Sequence, residues 1–256
     1  MQREEIFNRT ALLTGRETLE KFGNCRVIIF GVGGVGSWAA ETLVRSGFSR
    51  LTIVDADRVA ASNINRQLPA TSSTVGEVKV DVMRRRLLDI NPDAHIEAIH
   101  AFYNSETCAD YCLADYDVVI DAIDSLADKA LLILEATRAM AETARTERPV
   151  HFYSSMGAAL KTDPSRIAVA EFWKVKGCPL AAALRRRFKK SGEFPAKKFR
   201  CVYSDELVRN HPDAAALTDN TGAMTFNKVS VNGAFMHITA IFGITLASLA
   251  IRDFMK

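Results

Sequence analysis

The segment GVGGVG, residues 31–36, is the first place where residue type and spacing could do chemistry. Gly31, Gly33 and Gly36 fit the spacing GxGxxG, with Gly34 between them. Glycines allow a tight turn and let a phosphate approach the backbone. A helix that opens there adds unpaired N–H groups and a partial positive charge. Asp55 lies 19 residues beyond Gly36, which suits a carboxylate that accepts hydrogen bonds from a ribose. These features indicate a nucleotide, most commonly the cofactor of a nicotinamide dehydrogenase. A glycine turn with no ligand is the plainer reading, and the strand and helix on either side weaken it.

The residues beyond Asp55 fit a triphosphate better than a dinucleotide. Asp57 is followed by Ser62, Asn63, Asn65, Arg66 and Gln67, and then by Lys79 on an expected helix. Departing pyrophosphate needs cations, and an arginine and a lysine supply them. Asp124, in DAIDS, is expected to end a strand and face the ligand crevice at the carboxyl edge of a parallel sheet. A carboxylate there could hold Mg²⁺ between phosphate oxygens. Taken singly, Asp124 could cap a helix, and Arg66 and Lys79 could be solvated surface charges. Their occurrence beside a glycine loop favours one ATP site.

The elements that must position these residues can be read from periodicity. Short β-branched runs at 26–31, 51–57, 95–100, 116–124 and 149–154 read as strands. Helical stretches at 35–47, 76–90 and 126–146 lie between them. That alternation predicts an α/β, Rossmann-like fold with a mostly parallel sheet and helices on both faces. After about residue 155 the rhythm changes. Strands at 166–172 and 197–204 suggest an antiparallel extension, with a basic-ended helix at 179–190 and a polar loop at 205–228. No linker is evident. A single domain is expected, with residues 1–155 as its nucleotide-binding half and 156–256 packed onto it.

Composition excludes other classes. The 256 residues are 48% apolar and 25% charged, so a disordered or collagenous chain is ruled out. The five cysteines are irregularly spaced, and the amino-terminal residues hold no apolar leader, which points to a reducing cytoplasm. Residues 229–251 contain no Asp, Glu, Lys or Arg and are long enough to span a bilayer. Ser230, Asn232, His237, Thr239, Thr245 and Ser248 dilute the run, which favours a buried core helix over a membrane-associated one.

The blocks GVGGVGSWAAETLVRSG, DADRVAASNINRQ, VGEVKV, INP and DAIDS resemble the ubiquitin-activating-enzyme-like adenylating superfamily, which includes MoeB and ThiF. GVGSWAAE, SNINRQ, VIDAIDS, KTDPSRI, PLAAALRRR and VYSDE are similar to its tRNA threonylcarbamoyladenosine dehydratase (TcdA, or CsdL) family, over nearly the whole chain. The resemblance implies that ATP adenylates the carboxylate of the modified nucleoside beside the anticodon. The nucleoside then cyclises with release of AMP. It assigns Asp55 to the ribose and Asp57 to the vicinity of the reacting phosphates. Arg66 and Lys79 are assigned to the pyrophosphate, and Asp124 to Mg²⁺. Asn63, Asn65 and Gln67 would shape the site. Arg9, in FNRTALLTG, would reach the neighbouring subunit of a homodimer. A docked sulfur-transfer protein is left open.

Three departures stand out, the last being that no thioester-forming cysteine is obvious. The paired CxxC motifs that hold zinc in MoeB and ThiF are missing, so no zinc is expected. Cys178 stands where an acid usually precedes PLA. Neither Cys178 nor Cys201 is marked as a nucleophile, and Cys201 reads as a small buried residue within a strand. A tRNA substrate needs basic surface. Arg185, Arg186, Arg187, Lys189, Lys190, Lys197, Lys198 and Arg200 place eight cations in 16 residues, against the single acid Glu193. A solvated helix end is the plainer reading of that run. The main alternative function is activation of a ubiquitin-like sulfur carrier, which would share the ATP site.

Overall fold

RVIIF forms the central strand β1 (Arg26–Phe30), and its apolar residues are buried because both faces of the sheet are covered. In the computed structural model, which describes residues 3–214 and 232–255, β1 pairs in parallel with β2 (Arg50–Val54) and β4 (Val118–Asp121). β3 (His95–Ile99) joins β2, and β5 (His151–Ser155) joins β4. The seven strands run in the order β3-β2-β1-β4-β5-β7-β6. Side chains alternate between the two faces, as the strand period requires. Val27 and Ile29 enter one core, and Ile28 and Phe30 the other.

Three short helices, α1 (Arg3–Ile6), α2 (Asn8–Thr14) and α3 (Arg16–Asn24), precede the sheet. α4 (Gly36–Arg45), α5 (Lys79–Ile90) and α8 (Met236–Phe254) cover the face of Val27. α6 (Leu126–Glu142) and α7 (Pro179–Ser191) cover the face of Ile28. The second half completes the same sheet. Only β6 (Ile167–Glu171) is antiparallel, while β7 (Arg200–Ser204) enters between β5 and β6 and runs parallel to β5.

The apolar run of α8 is long enough to cross a membrane by length and composition. Its stripe Ile238, Phe242, Leu246, Leu249 and Ala250 is nevertheless buried against the sheet and α4. A Cβ placed on Gly243 would lie 2.3 Å from the Val35 carbonyl oxygen, so α8 and the start of α4 meet at backbone contact. Residues 229–231 of the run, and 215–228 of the expected loop, lie outside the described residues.

Several boundaries differ from expectation. β2 stops at Val54, ahead of Asp55 and Asp57, and β4 stops at Asp121. Asp124 therefore does not end the strand. It lies on the turn beyond, where Asp121 Oδ1 accepts the Ile123 N–H (3.1 Å) and bends the chain off the ladder. The helix expected from residue 76 begins at Lys79. Gly76 has φ 92°, and its N–H and the Glu77 carbonyl pair with Val59 (both 2.8 Å), so the preceding residues form a bridge instead. α6 ends at Glu142, where Thr143 Oγ1 bonds back to the Ala139 carbonyl (2.8 Å).

Candidate active site

β1 delivers the chain to Gly31, whose φ of 88° is disfavoured for any side chain. A Cβ at Gly31 would sit 2.8 Å from the Ala122 carbonyl oxygen, and one at Gly36 only 1.8 Å from that of Gly31. Those two glycines are demanded by the fold. Gly33 is different, because a Cβ there would meet only the Gln67 amide, at 3.6 Å. The glycine at 33 leaves space beside the backbone. A Cβ at Gly34 would lie 3.2–3.3 Å from Thr239 of α8, so α8 packs closely against the loop there. Val35, at the N-cap of α4, has no polar side chain to satisfy the first amides. The positive end of α4 is thus open to an anion.

Two acids and a lysine line the adjoining edge. Asp55 Oδ2 accepts the Val32 N–H (2.8 Å), which ties the β2 end to the glycine loop. Its Oδ1 accepts the Asp57 N–H (2.9 Å). Burial pushes the Asp55 carboxyl above its ordinary range, opposed by Lys79 and by the two amides. Lys79, buried at the first turn of α5, donates from Nζ to the exposed Asp57 (2.7 Å).

The segment Ala60–Gln67 folds over this edge. Asn63 is buried, and its Oδ1 accepts the Ala60 N–H (3.1 Å), so it shapes the loop from within. Gln67 is also buried, and its Oε1 has no hydrogen-bond partner among the described residues. Arg66 donates from one Nη to the Ser62 carbonyl and to Asn65 Oδ1 (both 2.9 Å). Asn65 Nδ2 in turn donates to the Ala234 carbonyl (3.0 Å), 169 residues away. Burial lowers the Arg66 pKa, and the facing Asp124 carboxylate raises it. The structure therefore brings the glycines, Asp55, Asp57, Asn63, Asn65, Arg66, Gln67, Lys79 and Asp124 together beyond the carboxyl ends of β1, β2 and β4, a region called the crevice below. Arg9 lies exposed on α2, outside this group.

Sequence reasoning missed the support beneath Asp124. Lys129 and Asp121 are fully buried and paired at 2.6 Å (Nζ to Oδ2), and Ser154 Oγ donates to the same oxygen at 2.6 Å. The signal was available: Lys129 falls at helical spacing with Leu132, Ile133 and Ala136, all buried on α6. A second missed anchor is Glu206, which accepts the Thr162 N–H (2.8 Å), Thr162 Oγ1 (2.7 Å) and the Asp163 N–H (2.9 Å). These donors pull its carboxyl from the ordinary 4.5 to about 2. Buried Lys161 donates to the Glu206 carbonyl.

The basic segment needs correction. Arg185 bonds the Phe172 carbonyl (3.2 Å) and lies over the Phe172 ring, and Arg200 pairs with Asp253 over the Tyr153 ring. Six of the eight cations remain exposed: Arg186, Arg187, Lys189, Lys190, Lys197 and Lys198. They also lie away from the crevice. Gly177, just before α7, abuts Asp205 beyond the carboxyl end of β7. From there α7 descends 13 residues, about 20 Å, toward the amino edge where Arg200 begins β7. Cys178 and Cys201 are buried, and burial holds the Cys201 thiol well above its ordinary range.

Residues 7–252 match the ThiF family. The chain is 42% identical over 253 residues to a tRNA threonylcarbamoyladenosine dehydratase of Bacillus subtilis, covering 98% of this chain and 94% of that one. It is 35% identical to the dehydratase of the same name from Escherichia coli, covering 97% and 93%. It is also similar to the crystal structure of E. coli tRNA N6-threonylcarbamoyladenosine dehydratase, TcdA, in complex with ATP. The TM-score is 0.79 at 33% identity, covering 98% of this chain and 94% of that one. Fold and full-length similarity agree: the chain belongs to the ThiF family and, within it, to the tRNA threonylcarbamoyladenosine dehydratases.

Proposed function

We propose that this protein uses ATP to adenylate the carboxylate of threonylcarbamoyladenosine in tRNA and then permits its cyclisation. The observation that carries the reading is the convergence of Asp55, Arg66, Lys79 and Asp124 on the glycine loop, in a chain similar over its full length to dehydratases of that name. Asp55 receives the ribose hydroxyls. The amides at the start of α4 and the space beside Gly33 take phosphate oxygens, with the Gln67 amide nitrogen as the nearest side-chain donor to that space. A carboxylate oxygen of the nucleoside attacks the α-phosphorus. The bond to the β-phosphate breaks, and pyrophosphate leaves beside Arg66 and Lys79, which stabilise its charge. The modification's own carbamoyl group then attacks the acyl carbon and displaces AMP. The net change is loss of one water. The nucleophile is already tethered, so no enzyme thiol is required, in keeping with the buried Cys178 and Cys201.

Mg²⁺ fits the donor set in one form only. Among the described residues no group of three or more His, Cys, Asp or Glu could hold a metal unaided. Asp124 would hold the ion together with phosphate oxygens, the usual arrangement for this cation. When bound, Mg²⁺ supplies neutralisation of phosphate charge. The exposed Leu12 and Leu13 of α2, 80% and 82% accessible, support a homodimer in which Arg9 reaches a neighbour's phosphates. The anticodon stem would lie along α7, so that its backbone meets the basic end while the modified base enters the crevice. A tRNA substrate accords with activity in the cytoplasm.

The test is mass spectrometry of tRNA nucleosides after incubation with ATP and the protein. Conversion of threonylcarbamoyladenosine to a product lighter by one water is expected. Pyrophosphate release that requires a carrier protein with a Gly-Gly terminus, and ignores tRNA, would overturn the proposal in favour of sulfur-carrier activation.

A further inference from the structure

Residues 233–237 lead into α8 beside Asn65, and hydrogen bonds fasten them to three other segments. The Gly233 N–H donates to Asn210 Oδ1 (2.8 Å), and its carbonyl accepts the Leu160 N–H (2.9 Å). The Ala234 carbonyl accepts from Asn65 (3.0 Å). His237 Nε2 lies 3.1 Å from the Thr162 carbonyl oxygen, which only accepts, so this nitrogen carries the proton. On this fixed backbone Phe235 is 57% exposed, with the ring of His237 beside it, 5.5 Å between centroids and tilted by 33°.

A large aromatic ring held in water by a fastened backbone gains nothing from burial, so its surface is available to a flat partner. RNA-binding proteins use such rings to stack unpaired bases. The location decides whose base it is. Asp55, the ribose acceptor, lies at the end of β2. Phe235 is joined through Ala234 and Asn65 to Arg66, a residue assigned to the phosphates and not to the ribose of ATP. Thr239, whose N–H bonds the Phe235 carbonyl (3.2 Å), rests on Gly34 of the phosphate loop. The geometry points to Phe235, flanked by His237, as a stacking platform for a nucleobase of the tRNA anticodon loop. It holds the modified nucleoside over the ATP phosphates. This inference rests on the tRNA reading above.

The test compares Phe235→Ala, Phe235→Trp and His237→Ala. The probes are ATP alone and an anticodon stem–loop oligonucleotide bearing threonylcarbamoyladenosine. Phe235→Ala is expected to weaken stem–loop binding roughly ten- to hundredfold and to leave ATP affinity within twofold. Phe235→Trp should retain stem–loop binding, and its fluorescence should be quenched by the stem–loop and not by ATP. His237→Ala should lose less than Phe235→Ala. Stem–loop binding by Phe235→Ala within twofold of wild type overturns the platform, as does an unquenched tryptophan at saturation. An equal loss of ATP affinity overturns it in favour of stacking on the ATP adenine. Wild-type protein that binds no stem–loop overturns the tRNA reading and the platform together.

Discussion

Replacing Lys129 by methionine tests whether the turn that carries Asp124 depends on the buried pair beneath it. Lys129 and Asp121 are both fully enclosed, and their 2.6 Å contact is supplemented by Ser154 and the Ile123 amide. Lys129→Met leaves a carboxylate in that enclosure with two neutral donors and no cation. Breaking a buried pair in this way costs about 3–5 kcal/mol. For a chain of this size, each kcal/mol moves the melting midpoint by about 2–4 °C, so a fall of about 6–20 °C is expected. Asp121→Asn added to Lys129→Met removes the stranded charge. It keeps an oxygen for Ile123 or Ser154, and should return most of the loss. Denaturant melts give the coupling energy, and ATP titration well below the midpoint gives the functional part. The single variant should bind ATP more weakly, because Asp121 Oδ1 no longer sets the bend toward Asp124 as firmly. A single variant within about 1 kcal/mol of wild type would refute the reasoning. So would a double variant as unstable as the sum of its parts.

Other substitutions separate binding from folding. Asp124→Ala should abolish ATP-dependent turnover with little change in melting temperature, and wild-type ATP consumption would sink its metal role. Gly36→Ala forces a methyl against the Gly31 carbonyl at 1.8 Å and should disrupt the fold. Gly33→Ala meets only Gln67, so it should melt normally and still bind ATP poorly; normal binding would remove the phosphate from that space. Because burial raises the Asp55 pKa, and ribose hydroxyls favour the ionised form, ATP affinity should fall as pH drops through that raised value. Asp55→Asn should flatten this dependence, which isothermal titration across mildly acid pH would check. The Glu206 carboxyl is depressed to about 2, so its contribution to stability is present above its unfolded value near 4.5 and is lost as pH falls toward 2. Acid melts of Glu206→Gln should lack that component.

How much of this could be read from the chain differs residue by residue. The glycine loop, Asp55 and Lys79 were legible because each follows a strand or opens a helix, and local spacing records that. The strand order of the second half was not. The alternation in IAVAE and RCVYS is equally compatible with a hairpin, and only tertiary packing inserts β7 beside β5. Asp124 stands out in its motif, while Asp121, which shapes the turn before it, was hidden in the same motif, because a strand end is set by hydrogen bonds. The basic run was overcounted for a similar reason: a string of cations does not reveal that Arg200 answers Asp253, 53 residues away. The link from Asn65 to Ala234 has no local signature at all.

The contact between Thr239 and Gly34 also orders events in time. The phosphate loop is translated early, yet one wall of it arrives about two hundred residues later with α8. A nascent chain long enough to contain every glycine, acid and cation of the crevice up to Asp124 still lacks the helix on which Gly34 and Val35 rest. Nucleotide competence should therefore appear abruptly, when α8 docks. Chains still emerging from the ribosome would not hold ATP until that helix has docked.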